Sequence, residues 1–318
     1  MTLTVTRHSP DVTILMALHN AGPYLLPQLQ SLKDQTMQRW SLLVGDDGAT
    51  DGSLGRLHEF AQQHPEHDVQ VIPGPRRGFA QNFLAMLSAV GPDVPYVALA
   101  DHDDIWLPEK LERALFALAH QDPTTPVLYC ARTMICDSAL TPIAPSPIWR
   151  RPFSFANALV QNVAAGNTIV LNRPALDLVQ KAVTAAELAD IAAHDWWLYL
   201  LIIGAGGQVI RDDKPVLLYR QHANNLMGRN DTWRAAIVRM REIRRGVYRS
   251  WIDRNIAALA HCENLLTAEN AELLRNFSVM RQQPGGWTRL TGLRKLGIYR
   301  QTRLAGLALQ MAAWRGLL

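Results

Sequence analysis

The strongest constraint on the fold is a series of short Val/Ile/Leu-rich segments with almost no polar alternation. Val12–Leu18, Ser41–Gly45, Val69–Ile72, Tyr96–Ala100, Val127–Ile135, Thr168–Leu171, Gln208–Arg211 and Val216–Tyr219 have strand length. Apolar residues on both faces suit a sheet that is covered on both sides. Stretches of helical period fall between them: Tyr24–Asp34, Leu54–Gln63, Phe79–Ser88, Pro108–Ala119 and His194–Ile203. Pro108 suits the first turn of its helix, with Asp104 shortly before it. This alternation predicts an α/β fold with a mainly parallel, doubly wound, Rossmann-like sheet. Ligands of such sheets sit beyond the C-terminal strand ends, so the residues that follow each strand carry the chemistry.

From about Asp231 the pattern changes to long helical stretches, Asp231–Ser250 and Arg254–Gln282, then a Pro284-Gly285-Gly286 break and a final stretch, Arg289–Leu318. On a helical wheel Leu290, Leu293, Leu304, Leu307 and Met311 cluster in that last stretch. Arg289 and Arg300 share their face, and Gly292, Gly297 and Gly306 weaken a continuous helix. Charge divides the chain at the same place. Residues 1–228 hold 16 Lys+Arg against 22 Asp+Glu, and residues 229–318 hold 16 against 6. The expected organisation is a catalytic or binding domain over residues 1–228 and a basic, mainly helical C-terminal extension over residues 229–318. A net charge of +10 on the extension suits an anionic partner. A nucleic acid is disfavoured, because the acidic first domain would repel a polyanion.

The 48% hydrophobic content excludes a disordered chain. Three cysteines, none in a CxxC pair, do not make a disulfide framework and suit a reducing compartment. The N-terminal stretch shows no signal-peptide pattern, and the longest uncharged run, Trp196 to Ile210, is too short to span a bilayer. The expectation is a cytoplasmic protein, at most peripheral on the inner membrane face.

Carboxylates stand at the strand ends. The second strand runs into Gly45-Asp46-Asp47-Gly48-Ala49-Thr50-Asp51-Gly52-Ser53. A turn with Asp51 or Ser53 as helix cap explains the later residues. Asp46 and Asp47, closing an apolar strand, can also accept hydrogen bonds from a base N–H or a ribose hydroxyl. The fourth strand runs into Asp101-His102-Asp103-Asp104. Three carboxylates in four residues repel one another unless a cation or solvent separates them, and Mg²⁺ or Mn²⁺ with a pyrophosphate favours such oxygen ligands. Asp195, in Ala193-His194-Asp195-Trp196-Trp197, serves either as a helix-start carboxylate or as a general base. After the last strand, Arg220 suits a phosphate or carboxylate partner and His222 a metal.

Taken in order, these segments resemble the inverting, nucleotide-sugar-dependent glycosyltransferases of family 2, which have the GT-A fold. The resemblance runs through the opening strand to His19-Asn20, Ser31–Thr36, the Asp46–Ser53 turn, Asp101–Pro108, Ala165–Thr168, His194–Trp197 and Tyr219–His222, covering about residues 10–228. It implies that Ala17 and Asp47 reach the nucleotide, with Asp46 beside them, and that Gly78 and Gln81 lie on a nucleotide-facing loop. It implies that Asp103 binds the metal (Mn²⁺ or Mg²⁺) and the donor pyrophosphate, supported by Asp101, that His222 and Arg220 add contacts there, and that Asp195 is the catalytic base. The chain departs from many relatives in carrying His194 before that base instead of Glu. It also lacks the QxxRW motif of processive members. The HDWW and YRQHANN segments most resemble bacterial rhamnosyltransferases of surface-polysaccharide assembly.

The expected reaction moves a sugar from a dTDP- or UDP-sugar, best dTDP-L-rhamnose, to a glycan or lipid-linked acceptor. The rival from another class is a non-catalytic nucleotide-sugar-binding scaffold. A sugar-nucleotide pyrophosphorylase is disfavoured because the first strand is followed by one glycine and no lysine, and a nicotinamide dehydrogenase because no early GxGxxG follows a strand.

Overall fold

The computed structural model describes residues 10–221 and 246–318. One nine-stranded sheet organises it: β1 (Val12–Leu18), β2 (Trp40–Asp46), β3 (Asp68–Pro73), β4 (Tyr96–Ala100), β5 (Ile105–Trp106), β6 (Val127–Cys136), β7 (Pro142–Pro145), β8 (Val170–Asn172) and β9 (Gln208–Arg220). The strand order is β3-β2-β1-β4-β8-β6-β9-β5, with β7 on β6. β1 to β4 pair in parallel, and β6 pairs in parallel with β9; β8, β5 and β7 run the other way. This is the GT-A-like mixed α/β architecture, with a mostly parallel sheet and C-terminal helices.

Helices cover both faces, which accounts for the unbroken apolar strands. On one side α1 (Leu25–Lys33), α2 (Ser53–Gln63) and α4 (Lys110–Ala119) bury Leu25, Leu29, Leu57, Phe60, Leu111 and Leu118 in one apolar cluster with the strands, α4 lying over β6 and β9. On the other lie α3 (Phe79–Ala89), the short α5 (Phe155–Ala158), α6 (Arg173–Leu188) and α7 (His194–Gly204). The C-terminal helices α8 (Val247–His261), α9 (Ala268–Gln282), α10 (Gly286–Lys295) and α11 (Arg303–Arg315) add Leu259, Phe277, Leu293 and Leu309 to the same apolar cluster.

The sequence pattern and the structure differ at several places. The 16-residue α6 follows β8 directly; Asn172 caps it, accepting a hydrogen bond from the Ala175 N–H, and a proline stands in its first turn. Gln208–Arg211 and Val216–Tyr219 are one strand, β9, with register shifts against β6. Arg254–Gln282 is not one helix. It breaks at Cys262–Thr267, and the Thr267 side chain starts α9 by accepting from the Asn270 N–H. The last stretch is likewise two helices, separated by residues 296–302, and Leu290 and Leu293 are buried while Leu304, Leu307 and Met311 are exposed. The expected helix over Asp231–Ser250 lies mostly outside the described residues.

The register sets Leu18 beside Asp46 and Met16 beside Ala100, so β1, β2 and β4 finish at one edge. Gly45 locks this edge to α3: the buried Asn82 side chain donates to the Gly45 carbonyl at 2.7 Å, and a Cβ at residue 45 would collide with the Asn82 amide oxygen. Gly45→Ala is therefore expected to destabilise the fold by about 1–3 kcal/mol through overpacking, seen as a lower urea midpoint with an unchanged slope. An unchanged midpoint would show that the Asn82 clasp contributes nothing.

Candidate active site

The edge where β1, β2 and β4 end gathers the acidic residues. After β4, Asp101, Asp103 and Asp104 bring one carboxylate oxygen each within 4.8 Å of one another. Asp104 is fully buried and accepts a hydrogen bond from the Asn167 side chain at 2.6 Å, while its other oxygen has no partner. Burial, then repulsion from Asp101 and Asp103, pushes its carboxyl well above the usual range. The Asp101 carboxyl rises to about 7, chiefly through burial and then through Asp103 and Asp195.

Lys110, in the first turn of α4, lies beneath this cluster. It is fully buried, with its ammonium nitrogen 3.0 Å from the centroid of the Trp106 ring. Burial pushes its pKa well down, against the attraction of Asp104 and Asp101. Desolvation thus outweighs attraction on both sides, and lysine and carboxyls alike are driven towards their neutral forms. Three crowded oxygen donors of this kind fit a hard divalent cation, whose charge would offset their mutual repulsion.

Asp195 sits at the start of α7 with an edge open to solvent, within electrostatic reach of Asp101. Burial raises its carboxyl to about 6, opposed by hydrogen bonds from the Trp196 N–H at 2.7 Å, the Asn162 side chain and the Gly166 backbone. The preceding His194 is buried and stacks on Phe83 with ring centroids 4.0 Å apart; burial lowers its pKa to about 3 and keeps it neutral. Gly166 permits this packing, since a Cβ there would lie 2.9 Å from His194 Nε2 and 3.4 Å from the Asp195 Cβ.

The β2 turn has its own internal bonding. Asp46 folds its carboxylate onto the Gly48 and Ala49 N–H groups at 3.2 and 2.8 Å. Asp47 spans to the next loop, accepting from the Arg76 N–H at 2.6 Å and the Gly78 N–H at 3.0 Å. Gly78, at φ +88°, then starts α3. Gln81 is buried one turn on, with its amide 3.5 Å from Asp190. Asp51 accepts from the Ser53 N–H and hydroxyl and from the Gly22 N–H, which hold its carboxyl down to about 2. The Ala17 carbonyl meets His102 Nδ1 at 3.0 Å. The Arg220 guanidinium donates to the carbonyls of Asp103 at 3.2 Å and Ser138 at 2.9 Å, bracing the acidic loop. Ala17, Asp46, Asp47, Asp101, Asp103, Asp195 and Arg220 therefore lie on the elements that frame one edge, with Gly78 joined through Asp47. Gln81 points to Asp190 instead. His222 lies outside the described residues.

Sequence reasoning gave no part to Lys110 or Asn162, and took Asn167 only as a member of the Ala165–Thr168 segment, with no role of its own. Pro108-Glu109-Lys110-Leu111 reads as an ordinary exposed first turn, and only the packing shows that the lysine faces inward. Asn162 and Asn167 come from a segment without periodicity, and they matter because it folds back beside β4.

The carboxylates are massed at the C-terminal ends of β2 and β4, the edge where open α/β sheets bind their ligands. Residues 13–169 match the Glycosyl transferase family 2 domain, and the chain belongs to that family and is a glycosyltransferase. It is 27% identical over 256 residues to the dTDP-rhamnosyl transferase RfbG of Shigella flexneri, covering 77% of this chain and 84% of that one. Over 195 residues it is 25% identical to WfgD of Escherichia coli, a UDP-Glc:alpha-D-GlcNAc-diphosphoundecaprenol beta-1,3-glucosyltransferase, covering 60% and 69%. The fold is similar to that of S. aureus TarS 1-349, with a TM-score of 0.51 and 12% identity over 96% of this chain and 87% of that one.

A carboxyl whose folded pKa lies above its unfolded value contributes stability that is present below the unfolded value and lost as pH rises through the folded one. For Asp101 that loss spans about pH 4 to 7. In metal-free buffer with chelator, Asp101→Asn is expected to be about 1–2 kcal/mol more stable than the parent at pH 8, and the advantage should vanish near pH 4. Parallel stability–pH curves for the two proteins would refute the assignment.

Proposed function

We propose that the protein is a metal-dependent, inverting glycosyltransferase. It moves a sugar from a nucleoside diphosphate donor, best dTDP-L-rhamnose, to a hydroxyl of a glycan or lipid-linked oligosaccharide in bacterial surface-polysaccharide synthesis. The observation that carries this is Asp195, a partly open carboxyl raised to about 6 beside an acidic cluster at the sheet edge. Family membership supports the transfer chemistry. RfbG, matched over most of both chains, supports the dTDP-rhamnose donor; WfgD, named for a UDP-sugar donor and a lipid-diphosphate acceptor, keeps a UDP-sugar as the second reading.

In this reading Asp103, supported by Asp101, would hold Mn²⁺ or Mg²⁺, with His222 as a further ligand. The cation supplies electrostatic stabilisation of the departing diphosphate. The chain's own residues do the rest. Asp47 fixes the Arg76–Gly78 loop, and with Asp46, Ala17 and Gly78 it frames the nucleotide. Arg220, anchored on the Asp103 carbonyl, places a positive charge beside the diphosphate. The acceptor oxygen attacks the anomeric carbon from the face opposite the diphosphate. The bond to the diphosphate oxygen breaks with its electron pair, and the acceptor's proton passes to Asp195. A carboxylate with a pKa near 6 is ionised at neutral pH yet more basic than an ordinary aspartate, which suits it to this step. The extension, residues 229–318, would keep the site close to an anionic, cytoplasmic membrane face.

Asp195→Asn should lower transfer about 10²–10⁴-fold while preserving the thermal shift caused by nucleotide with Mn²⁺. Near-normal turnover would remove Asp195 as the base. The parent kcat/KM should fall tenfold per unit as pH drops below about 6, where Asp195 takes up its proton. A panel of dTDP, UDP, GDP and their sugars, read as thermal shifts with and without Mn²⁺ or Mg²⁺, separates the donors. Stabilisation by dTDP-rhamnose supports rhamnosyl transfer, a UDP-only response discards rhamnose, and silence throughout favours the scaffold.

A further inference from the structure

The last two helices present an apolar stripe that nothing among the described residues covers. On α11, Leu304, Leu307, Met311 and Trp314 are 79%, 62%, 55% and 46% exposed. Their spacing of three, four and three residues sets them on one side, opposite the buried Leu309, Ala312 and Ala313. Trp287 of α10 is 72% exposed. It directly follows Gly286, where a Cβ would lie 2.5 Å from the Trp314 ring, so its backbone starts α10 beside the C-terminal end of α11. Monomeric proteins seldom leave so many large apolar side chains together in water.

Charge identifies what covers this stripe. Residues 273–318 contain eight Lys+Arg and no Asp or Glu. Arg303 and Arg315 flank the stripe on α11, and Arg294 and Lys295 extend the exposed basic rim on α10, with Arg294 held by Gln310 at 2.7 Å. A second copy of the chain would set one basic rim against another. Leucine, methionine and tryptophan bordered by arginine and lysine match the acyl and anionic layers of a lipid surface. Among the described residues no helix is long and apolar enough to cross a membrane, so the helix would lie along the surface. The fastening is firm: Arg289 caps α11 through the Ala313 and Trp314 carbonyls, and Gln301 and Tyr299 bond to residues 151–161. That segment runs on into Asn162 and Gly166 beside Asp195.

We infer that the Leu304–Leu307–Met311–Trp314 face of α11, with Trp287, is a docking surface for anionic lipid bilayers. The inference stands on this surface; only its use, holding the site near a lipid-linked acceptor, rests on the proposed transferase reading.

The test is flotation of the full chain with vesicles of phosphatidylcholine alone and with roughly one third phosphatidylglycerol. The parent should float with the anionic vesicles, weakly with the neutral ones, and less in high salt. Leu307→Glu combined with Met311→Glu should lower the anionic partition at least about tenfold. Both positions are exposed, so the melting temperature and the nucleotide–Mn²⁺ shift should not change. Arg303→Glu with Arg315→Glu should weaken anionic binding and leave neutral binding alone. Absent parent binding, or equal partition of parent and Leu307/Met311 variant, would overturn the proposal. So would a concentration-dependent dimer, lost in that variant, without flotation. Flotation that behaves as expected beside a silent nucleotide panel would retain the docking surface and reject the transferase reading.

Discussion

The electrostatics of the loop after β4 dominate this site. Three carboxyl groups share a space in which their oxygens lie within 4.8 Å, one of them wholly buried. Such an arrangement is unfavourable by itself, and the surrounding structure reads as its containment. Trp106 and Lys110 close it from below, Asn167 holds one oxygen of Asp104, and Arg220 grips the loop by the Asp103 carbonyl. The two-residue β5 joins that loop to β9 through Ile105 opposite Leu218, which brings Arg220 within reach. The strain stored there is of the kind a ligand cation relieves.

Much of this edge was legible in the sequence because strand ends are. Unbroken apolar runs announce strands buried on both faces, and a carboxylate directly after one has few structural reasons to be there. The limits of Val12–Leu18 and Tyr96–Ala100 follow directly from that rule. The two aspartates at the end of β2, Asp46 and Asp47, show where it overreaches. Both belong to the edge, yet Asp46 is bonded into its own turn and Asp47 to the Arg76–Gly78 loop. Sequence cannot separate a carboxylate that receives backbone N–H groups from one that awaits a ligand, because both uses favour the same residue at the same turn.

What stayed hidden depends on long-range packing. Lys110 stands among charged residues where a solvated side chain is the ordinary expectation, and only the packing around Trp106 buries it. The antiparallel course of β8 is invisible in a three-residue strand, and α6, directly behind it, offers only Asn172 and Pro174 as a start signal. The breaks at Cys262–Thr267 and at residues 296–302 interrupt apolar patterns that run through them, so composition alone joins helices that geometry separates. That separation changes the meaning of the last stretch. Leu290, Leu293, Leu304 and Leu307 would fall on one face of a single helix, yet Leu290 and Leu293 complete the core while Leu304 and Leu307 stand outside it.

Close approach explains the site's dependence on a few small residues. Gly45 admits Asn82, Gly74 admits the Asp47 carboxylate, and Gly166 admits His194 with Asp195. At each place a Cβ would push apart two segments that meet only in three dimensions: β2 and α3, the two loops bridged by Asp47, and the Asn162–Thr168 segment and α7. His194 matters for the same reason. Uncharged and stacked on Phe83, it fills the space beneath Asp195 without adding a second charge. A glutamate there would bring another carboxylate next to one already raised to about 6. The histidine therefore keeps the basicity of Asp195 under the control of burial and its hydrogen-bond donors.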